Sequence, residues 1–127
     1  MDILLDTHVA IWFFEDNKRL SKSATDAITN LENSVYVSIV SLWEIAIKLS
    51  KGKLEIDNGL DGFVEAVYRN GFILLGISPA HIKIVCELPF IHHDPFDRMM
   101  IAQAIVEDMS IVSADENIAQ YDASLLW

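Results

Sequence analysis

The sequence has one cysteine, few cations and no long apolar run. The single cysteine among its 127 residues, Cys86, excludes an internal disulfide framework and a zinc site built from cysteines. We expect Cys86 to be a small buried hydrophobic residue. No apolar run reaches the roughly 18 residues that a membrane-spanning helix needs. The chain also begins without the charged and apolar regions of a signal peptide. We therefore expect a soluble, cytoplasmic protein without a membrane partner.

Basic residues are scarce, since nine lysines and arginines stand against 19 acidic residues and give a net charge of −10. Proteins that bind nucleic acid through broad electrostatics are usually basic. This chain cannot hold RNA or DNA by its net charge. Either its substrate is not a polyanion, or a bound metal and a local basic strip hold the substrate. The charge also favours a basic protein partner, because complementary potentials steer association.

Apolar residues make up 52% of the chain, which is enough to form a core and argues against disorder. The length suits a single domain over residues 1–127. Strand-like and helix-like segments alternate, which predicts parallel crossovers and a three-layer α/β/α sandwich with a central parallel sheet of four to five strands. Strands are expected at residues 2–6, 34–38, 72–75, 110–113 and 125–127. Helices are expected after Thr7, at residues 21–32, 41–50, 60–70, 79–88 and 95–108, and after Asp115.

Four acidic residues lie where a predicted strand gives way to a predicted helix: Asp6, Glu44, Asp97 and Asp115. The carboxyl ends of parallel strands share one edge of the sheet, where ligands bind, so we expect these carboxylates to converge. Two carboxylates about 5 Å apart repel by roughly 3 kcal/mol at an effective dielectric constant near 20, and a larger cluster needs a cation. An all-oxygen ligand set favours Mg²⁺ or Mn²⁺ over zinc. Such an ion commonly serves phosphodiester hydrolysis.

Each acidic residue also has a purely structural explanation. Ser41 and Glu44 match a capping box, and Glu44 stands four residues before Lys48, which is a favourable ion-pair spacing on a helix. Asp6 and Asp115 could each cap the helix that follows. Taken singly, each structural explanation is preferred to the functional one, but the convergence of the set favours the cation site.

The segment before the sixth helix offers a rival metal cluster. His92 and His93 stand beside Asp94, but adjacent histidines point in different directions in most loops, so the carboxylates are the preferred ligands. Asp94 before a proline is typical of a helix N-cap. Asp97 lies in the first helical turn, where the helix dipole favours a negative charge.

The sequence resembles the PIN-domain ribonucleases and, among them, the VapC-type toxins of bacterial toxin–antitoxin pairs. The matching segments span nearly the whole chain and lie at residues 4–8, 41–45, 93–98, 101–104 and 112–115. The family's acidic residues map to Asp6, Glu44, Asp97 and Asp115. Asp94 competes with Asp97 for the third position, and the 18-residue spacing from Asp97 to Asp115 favours Asp97. The family's small hydroxyl residue maps to Ser113, with Thr7 as a supporting group.

The resemblance implies Mg²⁺- or Mn²⁺-dependent endonucleolytic cleavage of RNA by activated water, leaving 5′-phosphate and 3′-hydroxyl ends. In this scheme Asp6, Asp97 and Glu44 hold the metal, and Asp115 completes its shell directly or through water. The resemblance also implies a homodimer and inhibition by a small antitoxin whose basic segment enters the acidic cleft. Transfer, ribosomal and messenger RNA are all compatible with it.

Cations near the proposed cleft have two interpretations each. Arg98 contacts the scissile phosphate or forms an ion pair with Asp94. Lys48, Lys51 and Lys53 form a local basic strip that contacts the RNA backbone or is simply solvated.

Two tryptophans are expected to have structural roles. We expect Trp12 and Trp43 to pack in the core or in a dimer interface rather than to stack on bases.

A PIN-like module that binds RNA or protein without cutting is the alternative function. A phospho-receiver signalling domain is disfavoured, because such domains carry an acidic pair after the first strand, and here only Asp6 stands there.

Overall fold

The computed structural model describes residues 1–127 and contains five strands, six α-helices and one 3₁₀ helix. The strands are β1 (Asp2–Leu5), β2 (Ser34–Ser38), β3 (Ile73–Leu75), β4 (Ser110–Val112) and β5 (Ser124–Leu126). The α-helices are α1 (Thr7–Phe14), α2 (Lys22–Thr29), α3 (Ile39–Ser50), α4 (Gly59–Arg69), α5 (Pro79–Glu87) and α6 (Pro95–Glu107). The 3₁₀ helix spans Glu116–Gln120.

The strands form one parallel sheet in the order β3-β2-β1-β4-β5. Leu4, in the central strand β1, is level with Tyr36 of β2 on one side and with Ile111 of β4 on the other. The chain builds outward from β1 in one direction and then returns to build outward in the other, so the strand order reverses between β1 and β4. A crevice opens at the carboxyl ends of the strands where such a reversal occurs.

Alternate residues of β1 serve opposite faces of the sheet. Ile3 and Leu5 belong to an apolar cluster with Phe63 of α4, and Leu4 belongs to a second cluster with Ile101 of α6. All of these side chains are buried. Helices therefore cover both faces, and the predicted α/β/α sandwich with a parallel sheet is confirmed. None of its helices has the length and apolar character needed to cross a membrane.

Helix α3 begins at Ile39, two residues earlier than predicted. Ser38 is its N-cap: the Ser38 hydroxyl accepts a hydrogen bond from the Val40 amide (3.0 Å) and donates one to Gln103 Oε1 (2.6 Å). Ser41 is therefore buried inside the helix, and the predicted capping box between Ser41 and Glu44 is wrong. The partner that fixes Ser38 lies on α6, far away in the sequence.

Three smaller predictions also need correction. Thr7 is the first residue of α1 rather than its cap, because Asp6 occupies the N-cap position. Helix α2 ends at Thr29, earlier than the predicted Glu32. Cys86 is exposed rather than buried, since α5 packs mainly through other residues and buries His81 instead.

Candidate active site

A cleft of about 530 Å³ lies at the carboxyl end of the sheet, beside the crevice between β1 and β4. The structure brings four acidic residues from four elements into its lining: Asp6, Glu44, Asp97 and Asp115. Asp6 directly follows β1, and Asp115 caps the 3₁₀ helix after β4 by accepting a hydrogen bond from the Asn117 amide. The cleft therefore gathers side chains that are spread over most of the chain.

Ser113 connects the Asp6 carboxylate to the backbone of Asp115. Its hydroxyl donates to Asp6 Oδ2 (2.7 Å) and accepts from the backbone amide of Asp115 (3.0 Å). Burial raises the pKa of Asp6 above its ordinary value, and the Ser113 hydrogen bond only partly opposes this shift. Ser113 thus holds the Asp6 side chain in place, although burial still disfavours the charged form of Asp6.

Asp97 lies in the first turn of α6, which begins at the predicted cap. Asp94 is that cap, and its Oδ1 accepts from the amides of Phe96 (2.8 Å) and Asp97 (3.3 Å). Burial, together with the negative charges of Asp6 and Asp94, raises the pKa of Asp97 to about 7. Asp97 is therefore close enough to the other carboxylates to feel their charge.

His92, predicted only as part of a rival metal cluster, is a member of the cleft. Its Nε2 lies 2.7 Å from Asp115 Oδ2 and 3.1 Å from Asp97 Oδ2. Its Nδ1 accepts from the Asp94 amide (3.3 Å), so in the neutral ring the proton is on Nε2 and faces the two carboxylates. The His92 amide in turn donates to the Tyr121 hydroxyl (2.7 Å). The sequence signal for His92 was its place in the cluster with His93 and Asp94.

Glu44 lies deep in the cleft with both carboxylate oxygens engaged. Thr7 Oγ1 donates to Glu44 Oε1 (2.8 Å) and also contacts Ser41 Oγ (2.8 Å), which ties α1 to α3. Lys48 Nζ lies 2.6 Å from Glu44 Oε2, as the spacing of four residues predicted. Lys48 remains partly exposed at the cleft, whereas Lys51 and Lys53 are exposed residues outside its lining.

Arg98 does not form the predicted ion pair with Asp94, and it lies outside the lining of the cleft. Its buried guanidinium donates to carbonyl oxygens of four residues and lies over the Phe90 ring. The acceptors belong to Val85, Leu88, Pro89 and His92, at 2.9 to 3.4 Å. Because those carbonyls already occupy the guanidinium, Arg98 organises the loop between α5 and α6 and does not enter the cleft.

The two tryptophans lie in different places. Trp43 is 60% exposed and meets the Phe96 ring edge-on, with centroids 5.2 Å apart, so it is not a core residue. Trp12 lines the acidic cleft and belongs to neither apolar cluster.

The donor set fits a hard divalent cation. Asp97, Asp115 and His92 each offer a ligand atom within 4.8 Å of the others, and Asp6 adds a further carboxylate nearby. Cysteine is absent from the lining. Oxygen-rich sets of this kind suit Mg²⁺ or Mn²⁺.

Comparison with known proteins agrees with this geometry. The PIN domain family model matches residues 3–124. Ribonuclease VapC22 of Mycobacterium tuberculosis is 26% identical over 120 residues, covering 94% of this chain and 91% of that protein. The structure of VapBC2 from Rickettsia felis, bound to a promoter DNA fragment, has a TM-score of 0.75 at 14% identity over 98% of this chain and 97% of that one. VapBC-1 from nontypeable Haemophilus influenzae has a TM-score of 0.70 at 14% identity over 98% and 96%. These two structures share the fold, and the family match over nearly the full length shows that the chain belongs to the PIN-domain family.

Proposed function

We propose that this chain is an endoribonuclease that uses Mg²⁺ or Mn²⁺ to hydrolyse RNA, and that it acts as the toxin of a toxin–antitoxin pair. The observation that carries the proposal is the convergence of Asp6, Asp97 and Asp115 in one cleft, where Lys48 pairs with Glu44 and leaves these three without a lysine or arginine partner. The similarity to a protein named as a ribonuclease supports the reaction, and the family supports the fold that performs it.

The chain's own residues prepare the cleft for the cation. Asp6, Asp97 and Asp115 would hold it, and Ser113 and His92 orient their carboxylates by donating hydrogen bonds. Glu44 would join them through a remaining lone pair of its carboxylate, beside Lys48. When bound, the ion polarises a phosphoryl oxygen and lowers the pKa of water for attack on phosphorus.

Two cations in the cleft lining are available to phosphates. Lys48 is 35% exposed beside Glu44, and Arg19 is exposed and forms no ion pair. Lys51 and Lys53 lie beyond the cleft, where they could meet a more distant part of the RNA backbone. This set is small, which agrees with the acidic character of the whole chain.

The surfaces outside the cleft support the proposed protein partners. A groove of about 780 Å³ between α1 and α4 has an apolar floor and an acidic rim that includes Glu15 and Glu65, which complements a basic antitoxin segment. An apolar hollow of about 380 Å³ beside the exposed Trp43 and Phe90 would be covered in a homodimer. We further infer that residues 1–127 act as one domain and that the protein works in the cytoplasm.

Cleavage of total RNA tests the proposal. Purified protein is incubated with RNA and Mg²⁺, Mn²⁺ or EDTA, beside the variants Asp97→Asn and Asp61→Asn. Asp61→Asn is the matched control, because Asp61 is an exposed residue on α4 outside the cleft. We expect discrete fragments that require metal, persist in Asp61→Asn and disappear in Asp97→Asn. Mapping their ends identifies the RNA.

Two outcomes would contradict the nuclease. Equal cleavage by Asp97→Asn would mean that the activity comes from a contaminant or from another site. Metal binding without cleavage of any RNA would favour the alternative, a PIN-like module that binds RNA or protein and does not cut.

A further inference from the structure

The acidic cleft raises a problem for an RNA substrate. The chain carries a net charge of −10, and the cleft lining contains five carboxylates but only two cations other than histidine, Arg19 and Lys48. One of those cations is already paired with Glu44. A bound divalent ion offsets only part of this negative charge. An RNA strand therefore needs an attraction that does not depend on charge, and stacking of bases on aromatic side chains is such an attraction.

Trp12 is placed to provide it. On α1 the neighbouring Phe13 and Phe14 pack against the apolar cluster on one face of the sheet, but Trp12 is absent from both clusters. It is half-buried and lines the same cleft as the carboxylates. A large apolar ring that stabilises no core and borders a polar cleft has a surface available for a ligand.

Two other aromatic rings extend this surface. His8, one helical turn before Trp12, is exposed, lines the cleft, and has its ring centroid 6.1 Å from that of Trp12. Trp127 lies 6.2 Å from Trp12 and is 37% exposed. These three residues form an aromatic strip. Arg19, without an ion-pair partner, lines the cleft with Trp12 and His8.

We propose that the aromatic strip of His8, Trp12 and Trp127 binds an unpaired base of the RNA beside the cleavage site, with Trp12 as the main stacking surface. This inference rests on the proposed function and adds a base-binding surface to it. Bases inside a duplex cover their faces against one another, so the strip selects single-stranded or loop RNA. Arg19 meets the backbone of the same nucleotide. Phosphodiester cleavage at the carboxylates is thus combined with base binding on α1.

Binding of short single-stranded RNA by fluorescence anisotropy tests the strip. All measurements use protein carrying Asp97→Asn, so that the RNA stays intact, and Trp12→Leu and Trp12→Phe are compared with that background. Tyr68→Leu is the matched control, because Tyr68 is an exposed aromatic residue on α4 outside the cleft. We expect Trp12→Leu to weaken binding by about 5-fold to 100-fold, Trp12→Phe to weaken it less, and Tyr68→Leu to leave it unchanged.

An RNA series with one abasic position moved along the strand identifies the stacked base. At one position, removal of the base should weaken RNA binding by the background protein as much as Trp12→Leu does. The same abasic RNA should bind the Trp12→Leu protein almost as well as the intact RNA does, because the stacking contact is already lost. If the abasic change and Trp12→Leu weaken binding additively at every position, the proposed role of the aromatic strip is wrong. If Trp12→Leu binds RNA with unchanged affinity while the wild type still cleaves RNA, the base-binding proposal is wrong and the proposed nuclease function stands. If the wild type neither binds nor cuts RNA, the proposed function fails and the strip fails with it.

Discussion

His92 brings a hydrogen-bond donor into a cleft that otherwise offers mainly acceptors. Its Nε2 reaches both Asp97 and Asp115, while the Asp94 amide occupies Nδ1. A histidine that ligates a metal through Nε2 usually donates its other ring N–H to an acceptor, and here that nitrogen faces a donor. This arrangement favours His92 as a positioning residue that holds the two carboxylates, and not as a ligand.

Substitution of His92 should therefore reveal whether its hydrogen bonds matter for the metal. We expect His92→Leu to lower Mn²⁺ affinity by about 10-fold or more, as loss of a hydrogen bond to a metal ligand commonly does. His92→Gln, which can still donate, should retain most of the affinity. Isothermal titration calorimetry measures both variants, with His93→Leu as the control. Equal Mn²⁺ affinity in His92→Leu would exclude the positioning role.

Asp97 makes the metal-free protein sensitive to pH. Its folded-state pKa of about 7 lies above the ordinary 3.8, so the fold binds this proton more tightly than the unfolded chain does. The stabilisation is complete below about pH 4 and is lost as the pH rises through about 7, by at most about 4 kcal/mol. Urea unfolding in EDTA should thus show lower stability at about pH 8 than at about pH 5, and Asp97→Asn should reduce that difference. A wild-type free energy of unfolding that rises over this range would contradict the assignment.

Among the elements, the loop between α5 and α6 depends on Arg98. The guanidinium of this buried residue binds carbonyls at the end of α5 and in the loop, including that of His92. Arg98 therefore connects the helix that carries Asp97 to the loop that carries His92. The loop has few other supports, of which the hydrogen bond from the His92 amide to Tyr121 is one.

Removal of Arg98 should loosen this loop and weaken the metal site together. We expect Arg98→Met to lower the free energy of unfolding by about 3 kcal/mol, because four carbonyls, of which that of Leu88 is buried, lose their charged donor. Hydrogen exchange should accelerate between residues 88 and 94, and Mn²⁺ affinity should fall. Arg69→Met is the control, since Arg69 forms only an exposed ion pair on α4 and should change stability by less than about 1 kcal/mol. Unchanged exchange in the loop of Arg98→Met would contradict this account.

The sequence predicted the elements whose signals are local. The alternation of apolar segments predicted the parallel sheet, and Asp94 before a proline predicted the start of α6. It failed where a distant contact decides the structure. Ser38 becomes the cap of α3 because its hydroxyl also reaches Gln103, and His92 enters the cleft because Arg98 and Tyr121 fix the loop. Such contacts leave no periodic pattern in the sequence.

For the molecule as a whole, the negative net charge opposes the proposed binding of RNA. A protein with a net charge of −10 repels RNA at long range, although its cleft is proposed to cut RNA. A bound divalent ion, a few local cations and the aromatic strip would supply the attraction at short range. The same acidic surface would attract a basic antitoxin, so partner binding should depend on salt far more strongly than substrate binding does.

The salt dependence of RNA binding measures this balance. A protein that makes six to ten phosphate contacts loses about 10³-fold to 10⁵-fold in affinity between about 50 and 200 mM salt. With only Arg19 and Lys48 in the cleft, we expect one or two phosphate contacts, a log–log slope of about −1 and a loss of about fourfold over the same range. Anisotropy titrations with single-stranded RNA and the Asp97→Asn protein give this slope. Arg19→Gln should make it shallower, whereas Arg69→Gln, on the far side of α1, should not. A slope of about −4 or steeper in the Asp97→Asn protein would mean that many phosphates are neutralised, and a basic surface formed by a second copy of the chain would then have to supply the cations.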